Sequence, residues 1–209
     1  MTHTSIYDRA SESMAWLLQQ LPQEVQRPKS GIICGSGLGG LADLVVSRSK
    51  VEIPYGRIPY FPQSTVEGHV GSLVFGFLGW KQTPVVLMVG RVHFYEGHSI
   101  EDVTFPVRVM KLLGVEQIIV TNAAGGLNPE YKVGDIVVLS DHLNLAGISG
   151  VHPLRGPNLD KFGTRFPPLS DAYDLSLRRL THKTWKNAGI NQGSRTLHEG
   201  IYAFVGGPR

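Results

Sequence analysis

Short uninterrupted apolar runs, alternating with segments of helical periodicity, constrain this chain more than any other feature. Gly31-Ile32-Ile33-Cys34, Leu73 to Leu78, Val85 to Val89, Gln117 to Val120, Asp135 to Leu139 and Ile201 to Val205 read as strands. Helices are expected over residues 5–20, from Leu41 to Val46 onward, from Ser99 to Gly114 and over 171–188. Ser5 stands three residues before Asp8, and Ser99 three before Asp102, so each forms a capping box. Ser170 and Gly189 read as the start and stop of the last helix. Pro106 should kink the third helix or end it early, because it removes a backbone donor and crowds the preceding turn. The runs 117–120 and 135–139 do not alternate, as in parallel strands covered on both faces. The expected fold class is α/β: one domain over 1–209, with a mostly parallel mixed central sheet flanked by helices.

Composition removes several function classes. Lys plus Arg is 20 and Asp plus Glu is 17, a net charge of +3, with no run of five like charges. A nucleic-acid or membrane partner needs that charge clustered, so neither is expected. With 42% hydrophobic and 18% charged residues the chain should fold around a core. No apolar run approaches the roughly 18 residues that cross a bilayer, and the N-terminus carries no signal-peptide pattern. A single cysteine, Cys34, excludes an intrachain disulfide and a multi-cysteine zinc site; inside its apolar strand it reads as a small core residue. The 8 His include no H-E-x-x-H, so no metal is expected. These features suit a cytoplasmic protein.

Four segments carry chemistry. Gly35-Ser36-Gly37-Leu38-Gly39-Gly40 follows a strand and fits G-x-G-x-x-G, the dinucleotide fingerprint. That fingerprint also wants a carboxylate about 20 residues on, where this chain has Ile58-Pro59-Tyr60-Phe61-Pro62. A nicotinamide-dependent oxidoreductase is therefore disfavoured. What remains is an anion cradle of backbone N–H groups, a helix N-terminus and the Ser36 hydroxyl, or else only a tight turn. In Gly90-Arg91-Val92-His93-Phe94-Tyr95-Glu96-Gly97-His98, an extended backbone would project Arg91, His93 and Tyr95 from one face. Arg offers a planar fork for phosphate, and His a donor or proton carrier. Ligands of open α/β sheets bind beyond the carboxyl ends of the strands, where this trio would sit. Thr121-Asn122-Ala123-Ala124-Gly125-Gly126 supplies small residues that let a flat ligand approach the main chain, or simply a close-packed turn. His69, in Gly68-His69-Val70-Gly71, is either a loop residue reaching an anion or an ordinary loop histidine. Residues 142–168 form a 27-residue stretch with four Gly and four Pro. Its apolar residues, Phe162 and Phe166 among them, favour an ordered, packed loop.

Read together, these segments resemble the trimeric purine nucleoside phosphorylases. So do Pro153 to Asn158, Phe162 to Pro167 and Ser170 to Asp174, and the resemblance runs in order over residues 7 to 208. Methylthioadenosine phosphorylases share the fold but not the wording of 122–126. The resemblance implies phosphorolysis of inosine, guanosine and their deoxy analogues to free purine and (deoxy)ribose 1-phosphate, with inorganic phosphate as co-substrate and no cofactor. It implies that Ser36, His69, Arg91, His93 and the backbone of Ala123 hold phosphate, with Arg91 and His93 as the catalytic pair. It assigns Tyr95 to the ribose, Ala124 and Gly125 to the purine, and Phe166 to the neighbouring subunit's site in a homotrimer.

Members of that family continue past Gly207-Pro208 with a portion that supplies the Glu and Asn for the base, a second phosphate-binding Ser, and a Met and a His for the sugar. On the resemblance, this chain is expected to be cut short, lacking the usual C-terminal part. It should be weak or inactive while retaining phosphate binding.

Overall fold

The computed structural model of the chain describes residues 4–63, 71–189 and 195–205. The chain divides into two compact units, Met1–Ala123 and Ala124–Arg209. The first contains α1 (Ile6–Gln20), β1 (Ser30–Cys34), β2 (Val51–Pro54), β3 (Ser72–Leu78), β4 (Thr83–Val89), α2 (Ile100–Leu113) and β5 (Gln117–Val120). Its five strands form one sheet in the order β2-β3-β4-β1-β5. β1 runs parallel to β4 and β5, whereas β3 is antiparallel to β2 and β4. The second contains β6 (Ile136–Asn144), α3 (Leu145–Ile148), α4 (Leu175–Asn187) and β7 (Leu197–Phe204). β6 and β7 pair in parallel, with a bulge between Leu139 and Asp141. Three of the five pairings among the described residues are thus parallel, which is the α/β class with a mixed sheet.

Register explains the first unit's core. Ile32, Leu87 and Val74 are laterally paired and therefore share one face, where Cys34, Ala42 and Val45 join them in a buried cluster. Cys34 is the core residue expected of it. α1 and α2 pack against each other and bury Ala10 and Leu17 from one, Phe105, Val109, Met110 and Leu113 from the other. Both N-caps form: Ser5 accepts from the Asp8 amide and Ser99 from the Asp102 amide. α2 continues through Pro106 rather than ending there. Proline inside a helix costs about 3 kcal/mol or more, and each large apolar side chain buried returns about 1.5–3 kcal/mol. The four apolar residues of α2 exceed the penalty.

Several expectations fail for physical reasons. The segment after the glycine-rich turn is a short 3-10 helix, Gly39–Leu44, rather than an α-helix. The two consecutive glycines at its start, Gly39 and Gly40, are poor helix formers. β5 is not covered on both faces: it is the sheet's edge strand, and Ile118, Ile119 and Val120 are all exposed. β6 is at most half-buried along its length. α4 starts at Asp174, whose carboxylate accepts from the Leu177 amide 2.8 Å away, and not at Ser170. Just before the cap, the Tyr173 hydroxyl meets His142 Nδ1 of β6 at 3.0 Å. The long loop is exposed rather than packed, with Phe166 84% exposed. Its order comes from polar ties, in which Arg165 donates to the carbonyls of Leu154 and Gly156 at 3.0 and 2.7 Å. No helix among the described residues is long and apolar enough to cross a membrane.

Candidate functional site

Because β4, β1 and β5 are adjacent and mutually parallel, their carboxyl ends open on one edge of the sheet. Ser36 lies two residues beyond β1, Arg91 two beyond β4, and Ala123 three beyond β5. Three phosphate ligands proposed from sequence are therefore delivered to one edge by three neighbouring strands. Ser36 and Ala123 are exposed, and Arg91 is half-buried.

Thr121 staples the ends of β1 and β5. Its amide and its hydroxyl both donate to the Ile33 carbonyl at 3.0 Å, and its hydroxyl oxygen accepts from the Gly35 amide at 2.9 Å. Only glycine fits at 35, since a Cβ there would stand 2.5 Å from the Thr121 carbonyl oxygen and 2.7 Å from Asn122 Cα. The helix N-terminus expected behind this turn is missing, because a six-residue 3-10 segment follows. Backbone amides and the Ser36 hydroxyl remain as donors, without a helix dipole.

On the β4 side, burial pushes the Cys34 thiol above its usual pKa and the Arg91 guanidinium partly offsets this. Arg91's charge is therefore within Coulombic reach of the end of β1. The extended geometry expected for 91–95 does not hold: Phe94–Glu96 is a 3-10 turn with His93 as its N-cap. His93 and Tyr95 still come together, stacked at 4.8 Å with 15° between their planes. Glu96 is the partner that sequence reasoning missed. Its side chain, 2% exposed, accepts from the His93 amide at 2.8 Å and meets His93 Nδ1 at 2.7 Å. An ionised carboxylate only accepts, so with Glu96 ionised Nδ1 would carry the hydrogen they share. The signal was present as His-x-x-Glu, a capping-box spacing with histidine in the serine position.

His69 lies outside the described residues. Ala124, Gly125 and Phe166 belong to the second unit, Ala124 and Gly125 following Ala123 directly along the chain. Among the described residues nothing lies within 4 Å of where a Gly125 Cβ would stand. The Phe166 ring is covered on one side by the Arg165 guanidinium, 5.7 Å from its centroid. Among the described residues no group of three or more His, Cys, Asp or Glu could hold a metal ion.

Residues 29–209 match the model of the Phosphorylase superfamily, the class to which this sheet and its edge correspond. A Schizosaccharomyces pombe protein is 53% identical over 206 residues, 99% of this chain and 64% of that one. The purine nucleoside phosphorylase of Bos taurus is 50% identical over 208 residues, 100% of this chain and 68% of that one. A crystal structure of Schistosoma mansoni purine nucleoside phosphorylase with inosine aligns with a TM-score of 0.86 at 45% identity, covering 99% of this chain and 69% of that chain. The chain belongs to this superfamily and, inside it, to the purine nucleoside phosphorylase family. It spans about two thirds of the length of the curated relatives it matches. Membership sets aside the nicotinamide-dependent alternative.

Proposed function

We propose that the chain serves the phosphorolysis of 6-oxopurine nucleosides such as inosine and guanosine and their deoxy analogues, releasing the purine and (deoxy)ribose 1-phosphate. The observation that carries this reading is the delivery of Ser36, Arg91 and Ala123 to one edge by three adjacent parallel strands, beside a carboxylate-braced His93. Family membership at about half identity supports it. Arg91 would grip the phosphate through charge-assisted bonds, with the His93 ring, Ser36 and the Ala123 amide completing the shell and His69 reaching it from its loop. A phosphate oxygen forms the new bond to the anomeric carbon as the glycosidic bond breaks, and its electron pair leaves with the purine. The sugar gains positive charge on the way, so an anchored dianion is nucleophile and counter-charge together. No cofactor enters this scheme.

Tyr95, held against His93 by stacking, would face the ribose, with Ala124 and Gly125 against the purine. Phe166, exposed on this chain, would complete the site of a neighbouring subunit in a homotrimer working in the cytoplasm. We assign all of 1–209 to one catalytic domain. The test is phosphate-dependent release of hypoxanthine from inosine, run alongside calorimetry with phosphate. Release that depends on phosphate supports the enzyme. Phosphate binding without release would favour a silent, phosphate-binding form, and no phosphate binding at all would refute the site.

A further inference from the structure

The turn that carries Arg91 is held from behind by a residue that no sequence motif marks. Tyr55 follows β2 and is almost fully buried. Its hydroxyl donates to the Gly90 carbonyl at 2.7 Å, across 35 residues of chain. Gly90, at φ +82°, is where the backbone leaves β4 and turns toward Arg91. A Cβ on Gly71 would lie 2.1 Å from Tyr55 Cε2, and one on Gly90 would lie 3.1 Å from Gly71 Cα. The Tyr55 ring, Gly71 and Gly90 are therefore in direct contact, and the Tyr55 amide donates to the Gly71 carbonyl at 2.9 Å. Behind the ring stand Phe61 at 5.5 Å and, beyond it, Phe105 of α2 at 5.8 Å from Phe61.

We propose that Tyr55 is a positioning residue for phosphate binding, its hydroxyl fixing the Gly90–Arg91 peptide and so the direction in which Arg91 leaves β4. The Gly90 carbonyl and the Arg91 N–H belong to one rigid plane, so holding the oxygen aims the amide and the side chain that follows. Glycine leaves that plane free to turn about its φ and ψ, and the phenol removes the freedom. Burial pushes the Tyr55 phenol far above its usual pKa, so it remains a neutral donor across the working range. The inference rests on reading Arg91 as a phosphate ligand.

Tyr55→Phe keeps the ring and its packing and deletes the one donor. In the 209-residue chain three measurements decide: calorimetric affinity for inorganic phosphate, amide hydrogen exchange at Arg91 and Val92, and the thermal midpoint. The expected result is roughly three- to tenfold weaker phosphate binding, the range of one lost neutral hydrogen bond, with faster exchange at those two amides. In an Arg91→Ala background the same change should cost no further phosphate affinity, which a general loss of stability would not reproduce. Unchanged affinity in Tyr55→Phe while the parent binds phosphate overturns the role of Tyr55 and leaves the phosphate site standing. A variant that no longer folds assigns Tyr55 to the core alone and also overturns it. A parent that binds no phosphate, with exchange at Arg91 still responding to the substitution, refutes the phosphate reading and takes this inference with it.

Discussion

Arg91 and His93 are two residues apart in the chain, yet different devices aim them. Arg91 depends on the backbone turn at Gly90, whereas His93 depends on a carboxylate three residues further on that engages both its amide and its ring. Replacing Arg91 by Ala should remove a charge-assisted contact worth about 2–3 kcal/mol, near a hundredfold in phosphate dissociation constant by calorimetry. The thermal midpoint should barely move, because the side chain is only half-buried. At this scale the sequence was legible in part. Arg91, His93 and Tyr95 stood out by chemistry and by their place after an apolar run, although the extended backbone invoked to align them is a 3-10 turn. Glu96 was legible in principle through its spacing. Tyr55 was not, since its bond to Gly90 depends on how β2, β3 and β4 pair, which no local pattern encodes.

Elements were legible where a local signal agreed with burial. The capped ends of α1 and α2 and the apolar runs of β1, β3 and β4 are of that kind. β2 went unread because its four residues, Val-Glu-Ile-Pro, give too short a pattern. Pro106 shows tertiary packing overriding local preference, since ample core around α2 carries a helix through proline, whereas Gly39–Leu44 follows its local preference, two glycines leaving only a short 3-10 segment. The join between β1 and β5 supplies a test at this scale. Gly35→Ala sets a methyl against backbone atoms of Thr121 and Asn122 that cannot rotate away. It should cost about 1–3 kcal/mol. In urea unfolding the midpoint should fall with little change in slope. A variant as stable as the parent would show that the two strand ends can separate without cost, and that the shared edge is not rigid.

Across the whole molecule the apolar burial is uneven. The first unit contains every described residue that is buried as a whole, while in the second unit, among the described residues, none is. The second unit therefore relies more on polar ties, and the most acid-sensitive of these is Asp135. Its carboxylate accepts from the Lys132 amide at 3.0 Å, the Thr196 amide at 2.8 Å and His198 Nε2 at 2.9 Å, which binds the start of β6 to the start of β7. Those backbone donors first, then His198, hold its pKa at about 2, below the ordinary 3.8. Glu199 is held low in the same sense, by His182 first and, against an opposing burial effect, also by Arg178. A carboxyl that takes up its proton more readily when unfolded contributes stability fully present above its unfolded pKa and lost as pH falls through the folded one. Stability of the β6–β7 pair should accordingly be level above roughly pH 5 and decline from there toward pH 2. Asp135→Asn keeps an acceptor but cannot titrate, so it should lower stability at neutral pH and flatten the decline, leaving only the share carried by Glu199. Hydrogen exchange of β6 and β7 amides, followed from pH 6 to pH 2 and corrected for intrinsic rates, reads this directly. Parallel curves for parent and variant would show that Asp135 titrates alike in both states and that the pair is held together by its backbone ladder alone.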